Sequence, residues 1–343
     1  LVRLSDDIPS LDAAINDLEN EIQFSKVVQS GAPMADNKVI LLQGWAPEDT
    51  VPEIEEYLNK ESVYYETYDP KPEDDVPIKF KNNKFARLFE PIAELYELPK
   101  YNEIDLTPYF APFYMIFFGL ALGDIGYGAF LLLVSTVFKA LKKKSISMTM
   151  RGTMSLVQIL GASTMLCGLL QGGFFGYSIY EINSPFINRL ESMLYFDNAQ
   201  MFTLSLILGV VQIMFGMILK IFNRIKQFGF KHALSSIGWF VFLLSIIVSY
   251  LYPPLMPMGG TIHSGVMIAT GVLIVFFNSP GKNPLVNIGT SLWDAYNMAT
   301  GLLGDILSYV RLFALGLSGG ILASVFSSLA TGMSPDQAIL GPI

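Results

Sequence analysis

From Thr107 onward the chain is written in apolar blocks, at 107–138, 152–178, 201–222, 234–252, 262–277 and 286–330. Each of the four middle blocks is close to the ~20 residues that a helix needs to cross a bilayer. A 343-residue chain that is 52% apolar, with a mean hydropathy of +0.44, is too apolar for an ordinary soluble domain. The blocks predict a polytopic α-helical membrane protein.

Charge divides the chain. Residues 1–106 hold 23 Asp/Glu against 10 Lys/Arg, and residues 107–343 hold 7 against 12. Such asymmetry predicts two regions in two environments, an acidic soluble part (1–106) and a membrane part (107–343). In the first, Leu11, Ile15, Leu18 and Ile22 recur at helical spacing with acids between them, which predicts an amphipathic helix over 11–28, the tail of a longer coiled coil. Residues 38–69 read as strand, helix, strand: Val39–Leu42, the acidic run Pro47–Asn59, and Ser62–Tyr68. This is a small α+β unit. Pro70, Pro72 and Pro77 mark a linker over 70–82, and Asn83–Tyr96 a short helix leading to the membrane. The chain begins Leu1-Val-Arg with no signal-peptide pattern, and the native N-terminus is expected to be missing. Its one cysteine, Cys167, sits in an apolar run and reads as a small packing residue.

The first apolar block poses a problem of length. As one helix its 32 residues would run roughly 48 Å, against a hydrocarbon core of about 30 Å. Gly119, Gly123, Asp124, Gly126 and Gly128 lie in its middle, so two short spans joined by a turn near Gly123-Asp124 are expected. Charge supports the hairpin. With it, segments 139–151, 220–231 and 278–285 share a side, and they hold Lys139, Lys142, Lys143, Lys144, Arg151, Lys220, Arg224, Lys226, Lys231 and Lys282; the opposite loops hold Arg189. That bias obeys the positive-inside rule and puts the N-terminal part in the cytoplasm. The last block starts after Pro284 in the interface and crosses over 301–330, so seven spans are expected, with the chain ending outside at Gly341-Pro-Ile343.

Arg311 lies in the middle of that last span. A guanidinium stays protonated, and holding it at bilayer depth costs roughly 2.5–3.5 kcal/mol on insertion scales. Gly304, Ser308, Arg311, Leu315 and Ser318 share one helix face, with Asp305 at its edge, and Gly316-Leu-Ser-Gly-Gly320 is a GxxxG pattern that permits close approach of another helix. Three readings stand: Arg311 snorkels, it pairs with Asp305 or Asp124 as a structural ion pair, or it serves a partner outside the chain. Asp305, six residues before it, either lines a polar entry path or caps the interface end of the span. Asp124 at the predicted turn suits a carboxylate bonding free backbone N–H groups; the alternative is a place in an ion path. Gln171-Gly-Gly-Phe-Phe-Gly176 reads as a glycine-rich span end made for close helix packing. His232 and His263 are isolated. No Walker motif, metal-spaced His/Cys set or nucleophile–base constellation is present, so no metal, no cofactor and no catalytic residue are expected, and the basic loop 139–151 is a topology signal, not a nucleic-acid site.

Several stretches, in order along the chain, resemble subunit a (also called subunit I) of V-type and archaeal or bacterial A-type rotary ATPases. They are Gln43-Gly-Trp-Ala-Pro47; Asn82-Asn-Lys-Phe85 through Leu98-Pro-Lys-Tyr-Asn-Glu-Ile-Asp105; Thr107-Pro-Tyr-Phe-Ala-Pro112 into Phe118-Gly-Leu-Ala-Leu-Gly-Asp-Ile-Gly-Tyr-Gly128; and Ser308-Tyr-Val-Arg311-Leu-Phe-Ala-Leu315, which looks like the family's arginine-helix signature. The resemblance implies a non-catalytic stator subunit in a bacterial inner membrane, with a cytoplasmic arm that holds the peripheral stalk. Its implied partners are a rotating proteolipid ring (c/K subunit), peripheral-stalk E/G-type subunits, a central-stalk d/C-type subunit, indirectly the A/B catalytic head, and the lipid bilayer. Two offset half-channels would connect the ring's carboxylates to the two sides, and Arg311 would face those carboxylates to couple H⁺ or Na⁺ movement to ATP hydrolysis or synthesis. Asp305, Ser308, Tyr309, Ser318 and Asp124 are candidates for the half-channels or the interface. Family members have eight spans, the last carrying a second arginine, and a longer arm, so the resemblance implies truncation at both ends. Eukaryotic members carry a histidine at the position of Gly319, absent here. Two other classes compete: a secondary transporter with Arg311 as a mid-membrane anion site, and a purely structural membrane anchor.

Overall fold

The computed structural model describes residues 8–34, 39–71, 74, 76–96, 98–142, 148–182, 184–278 and 284–333. Lys143, Lys144, Lys282, the leading Leu1-Val-Arg and the final Gly341-Pro-Ile343 lie outside the described residues. The chain divides into two compact units, 1–79 and 80–343. The segment 80–106 therefore belongs with the apolar helices.

The first unit opens with α1 (Ile8–Ser30). The stripe Leu11, Ile15, Leu18 and Ile22 is exposed along it. Strands β1 (Ala32–Met34) and β2 (Val39–Leu41) pair antiparallel, Ala32 opposite Leu41 and Met34 opposite Val39. Helix α2 (Val51–Lys60) starts later than Pro47, because residues 47–50 close a turn in which Thr50 N–H and Oγ both bond the Pro47 carbonyl. The strand expected over Ser62–Tyr68 does not form. Ser62 takes a left-handed φ of +55° as Val63 N–H closes back on Leu58 O. The tyrosines that follow bond side chains instead of a neighbouring strand: Tyr64 to Glu66 (2.6 Å), Tyr65 to Asn59 (3.2 Å) and Tyr68 to Gln43. The Glu66 carboxylate beside Tyr64 holds its phenol above the usual value. The partner of β2 is thus the segment before it, supplied by a local hairpin.

In the second unit a 3₁₀ turn (Ala86–Phe89) and α3 (Glu90–Tyr96) precede the apolar helices α4 (Thr107–Leu122), α5 (Ile125–Leu141), α6 (Met148–Gln171), α8 (Asn198–Phe228), α9 (Phe230–Leu251), α10 (Thr261–Phe276) and α11 (Pro284–Met333); the short helix α7 (Pro185–Leu194) lies between α6 and α8. Four stretches, 150–171, 198–228, 230–251 and 286–330, are long and apolar enough to cross a membrane; α4, α5 and α10 are apolar and shorter. The first apolar block breaks where its glycines predict. Gly123 turns into the left-handed region (φ +46°) and ends α4, and Asp124 caps α5 by accepting from Tyr127 N–H at 3.0 Å. Asp197 opens α8 with a reciprocal capping box, its carboxylate on Gln200 N–H (2.7 Å) and the Gln200 side chain on its own N–H (3.0 Å). Several hydroxyls within the helices return to carbonyls one turn back, as Ser135 does to Leu131, Thr164 to Leu160 and Thr270 to Val266; Ser249 Oγ and His263 Nδ1 are buried without a partner among the described residues.

Side-chain pairs set the directions. α6 lies between α4 and α5. It runs parallel to α4, with Ser163 bonding Met115 O and Cys167 filling the slot over Gly119, and antiparallel to α5, where Gln158 meets Thr136 and Gly161 abuts Gly128. These contacts are made by small residues, which let helices approach where lipid supplies no hydrophobic drive. α8 and α9 are antiparallel (Arg224 to Ser236), as are α9 and α10 (Ser235 to Asn278, Ser245 to Met267), α10 and α11 (Val275 O to Ser291), and α8 and α11 (Phe202 to Phe313, Gln212 to Tyr309). α11 runs parallel to α4, Tyr309 beside Phe117 and Gly316 against Leu120. Successive apolar helices therefore alternate, and Lys139, Lys142, Arg151, Lys220, Arg224, Lys226 and Lys231 gather at one end of the bundle. At that end residues 103–104 strap onto α8: Asn223 accepts from Ile104 N–H at 3.2 Å, and Lys226 Nζ donates to Glu103 O at 3.2 Å.

The last apolar block is one unbroken helix. α11 has 50 residues, roughly 75 Å at 1.5 Å each. Between its contacts with Phe117 and Leu120 it advances seven residues while α4 advances three, so it crosses α4 on a slant.

Candidate functional site: the open face of the longest helix

α11 is fastened at four levels. Asn287 Nδ2 donates to Phe276 O (2.6 Å) and Ser291 Oγ to Val275 O (3.0 Å) at the basic end. Tyr309 docks between α8 and α4. At Gly316 an added Cβ would fall 2.8 Å from Leu120 O, so the first glycine of the GxxxG pattern is spent inside this chain; Gly319 and Gly320 have nothing within 4 Å of theirs. At the other end Ser327 Oγ donates to Phe175 O (2.7 Å) and Tyr177 Oη to Ser327 O (3.2 Å).

The partner at that last level is the Gln171–Gly176 stretch. It forms a tight hairpin, β3 (Gly173–Phe174) with β4 (Tyr177–Ser178), rather than the end of a packed span. Phe175 and Gly176 turn it with φ of +48° and +83°. A Cβ on Gly176 would sit 2.3 Å from the Ala323 carbonyl carbon, which is why only glycine lets the hairpin lie on α11. Asp124 anchors the same hairpin from the opposite side. Its carboxylate, buried, accepts from Phe175 N–H (3.1 Å) and Gly176 N–H (3.2 Å) besides its own cap bond. The turn reading of Asp124 thus extends to a tie between two segments 50 residues apart. Tyr180, below the hairpin, donates to Leu169 O (2.5 Å); burial, then the Glu191 carboxylate, pushes its phenol above the usual range.

Between these fastenings one face of α11 stays uncovered. Gly304, Asp305, Ser308, Arg311, Leu315, Ser318 and Leu322 are exposed, while Tyr309, Leu312, Phe313 and Gly316 turn inward. Arg311 lies 20 residues beyond Ser291 and 16 before Ser327, near the middle of the fastened stretch. Among the described residues it has no hydrogen-bond or ion-pair partner; the one salt bridge there joins Lys79 and Asp49 at 4.0 Å. Asp305 is also exposed but lies about 9 Å away along the axis and about 120° round the helix, and Asp124 is occupied by three amides. Ser308 Oγ is returned to Gly304 O at 2.9 Å. Tyr309 stands apart from its neighbours Ser308 and Arg311, half-buried, with its hydroxyl on Gln212 Oε1 at 3.0 Å. No group of three or more His, Cys, Asp or Glu able to hold a metal occurs among the described residues.

A cavity of ≈ 260 Å³ lies at the hairpin end. Its walls are the α4–α5 turn (Gly123, Asp124), Gln171, the hairpin through Ser178, the start of α8 (Asn198, Ser205) and α11 from Phe313 to Ser324. It has room for several waters and polar partners for them. Its α11 wall begins two residues past Arg311. Sequence reasoning missed Gln171, Asn198, Ser205, Ser324 and Gln212 as a set, because they come from three separate helices. Gln212 alone carried a signal, as the one amide in the middle of the 201–222 block.

Residues 10–192 match the V-type ATPase 116kDa subunit family. Over 322 residues the chain is 31% identical to the A-type ATP synthase subunit I of Methanothermobacter thermautotrophicus, covering 89% of this chain and 45% of the relative. It is 25% identical over 341 residues to the A-type ATP synthase subunit I of Methanocaldococcus jannaschii (90% and 48%). It is 24% identical over 339 residues to the V-type ATP synthase subunit I of Borreliella burgdorferi (92% and 55%). The chain spans about half the length of the curated relatives it matches.

Proposed function

Because the chain belongs to the V-type ATPase 116kDa subunit family, we propose that it is the membrane stator subunit of a rotary V- or A-type ATPase, non-catalytic itself, that moves H⁺ or Na⁺ past a rotating proteolipid ring. The observation that carries this reading is Arg311, a permanent cation held mid-helix on an exposed face with no partner among the described residues. An unsatisfied guanidinium at that depth is costly. A carboxylate on a neighbouring ring subunit, arriving across the open face, removes that cost. At ~4 Å and an effective dielectric constant near 20, the pair gains roughly 4 kcal/mol. The same field favours the ionised carboxylate, lowering its pKa by roughly 1–3, so a carried ion is released as the carboxylate reaches Arg311. The cation repels H⁺ or Na⁺ and closes a direct leak.

The cavity at the hairpin end is the outer half-channel in this scheme. It supplies polar walls from outside the bundle to the part of α11 just past Arg311, and Gly319, Gly320, Ser318 and Leu315 form the surface over which the ring slides. Ser308 and Asp305, about one and two turns toward the basic end, border the route on the inner side. In this reading α4, α5, α6, α8, α9, α10 and α11 each cross once, which makes seven spans, and the cations gathered at one end support a cytoplasmic location for it. Residues 1–106 then lie on the cytoplasmic side, with 1–79 as the arm, and the exposed stripe on α1 suits a coiled-coil neighbour there. The partners are the ring, the peripheral- and central-stalk subunits, and through them the catalytic head, in a bacterial inner membrane.

Replacing Arg311 by Ala in the assembled, full-length complex tests the reading. ATP-driven ion transport into proteoliposomes is expected to fall at least about 100-fold, the scale of losing ~3 kcal/mol of charge pairing, while assembly is preserved. Normal coupled transport in that variant sinks it.

A further inference from the structure

We propose that Tyr309 is a positioning residue for Arg311: docked into a slot made by Gly209, Gln212 and Phe117, it sets the roll of α11 and thereby aims the guanidinium out of the bundle. The inference rests on the stator reading above for its functional consequence, and on geometry alone for the lock itself.

Residues two apart on an α-helix point roughly 200° away from each other, so whatever holds residue 309 inward holds residue 311 outward. The inward side is tightly specified. The Tyr309 ring lies against α8 where Gly209 has no side chain; a Cβ there would come within 2.3 Å of the ring. Phe117 of α4 flanks the ring at 5.4 Å between centroids. The hydroxyl reaches Gln212 Oε1 at 3.0 Å, one turn along α8 from Gly209. Steric slot, ring contact and hydrogen bond come from three sides and two helices, and together they leave one orientation. Phe313, two residues past Arg311, packs on Phe202 of α8 from the same inward side, and Leu312 joins it against the core; neither carries a hydrogen bond that fixes direction. Gly316 fixes distance to α4 but has no side chain to resist rotation, and the hairpin clamp at Ser327 lies 16 residues beyond Arg311. A helix with an open face and slack in its roll would let Arg311 swing toward lipid or toward the cavity.

Two measurements on full-length protein separate the lock from its consequence. The first reads roll directly: spin labels at 304, 308, 312, 315 and 318, placed singly in the chain in lipid nanodiscs with Cys167→Ala, report oxygen accessibility. In the parent, 304, 308, 315 and 318 are expected to be high and 312 low. In Gly209→Leu and Tyr309→Leu the phase is expected to rotate by about one residue, roughly 100°, or the periodicity to flatten. The second reads coupling in the assembled complex: ion transport per ATP for Tyr309→Phe, Gln212→Leu and the pair. Each single change is expected to lower it by about 3- to 10-fold, the scale of one hydrogen bond, and the pair by no more than either alone. An accessibility phase that stays put in both Leu variants overturns the lock, and so do additive losses in the pair. A phase that rotates while transport per ATP stays normal upholds the lock and overturns the role given to Arg311.

Discussion

Asp124 and Arg311 are both charges set in apolar sequence, and the molecule treats them in opposite ways. Asp124 is buried, with three backbone N–H groups on its carboxylate, and it joins the α4–α5 turn to the hairpin 50 residues later. Arg311 is exposed on a face with no described partner. The first charge is consumed by architecture. The second is presented. A satisfied charge in an apolar protein identifies a joint; an unsatisfied one, held in place by satisfied neighbours, identifies a surface that awaits something.

The contrast can be broken in steps. Arg311→Leu, the sharpest, is expected to abolish coupled transport while the chain itself melts in detergent no lower than the parent, because no contact within the chain is lost; a clear drop in its melting temperature would show Arg311 to be structural after all. Asp124→Ala is expected to do the reverse. It strands three N–H groups at about 1–3 kcal/mol each, and a loss of about 3–5 kcal/mol should appear as a lowered detergent melt and poor accumulation, with Asp124→Asn milder. Gly176→Ala follows, expected to cost about 2–3 kcal/mol from the left-handed φ and the clash with the α11 backbone. Proteolysis of the segment around Phe175, faster than in the parent, is the measurement. Smallest is Asp197→Ala, which removes only the α8 cap: about 1 kcal/mol by the same melt, with no change in transport per ATP.

How much of this was legible beforehand follows the range of the forces involved. The break at Gly123-Asp124 could be read because it is local: two glycines, a capping carboxylate and a block too long for one crossing all sit within a few residues. The exposed face Gly304, Ser308, Arg311, Leu315 and Ser318 could be read because helical periodicity needs no partner. The strand expected at Ser62–Tyr68 failed since a three-residue β2 found its partner in the adjacent Ala32–Met34 and the tyrosines satisfied themselves by side-chain bonds. The Gln171–Gly176 run was legible as a place of close approach but not as a hairpin, because what it approaches is α11, some 150 residues later.

By itself, then, the sequence determined that the chain after Thr107 makes apolar helices, where they break, which loops carry the positive charge, and that Arg311 and its small neighbours lie on one stripe. These follow from hydropathy, 3.6-residue periodicity and capping chemistry, all written within a turn or two of the residue concerned. Only the tertiary structure decided which way that stripe faces. The pairing of Tyr309 with Gln212 and Gly209, of Asp124 with Phe175 and Gly176, and of Ser327 with Phe175 brings together residues from distant helices. Their steric and hydrogen-bonding complementarity has no local signature, yet it is what leaves Arg311 on the outside.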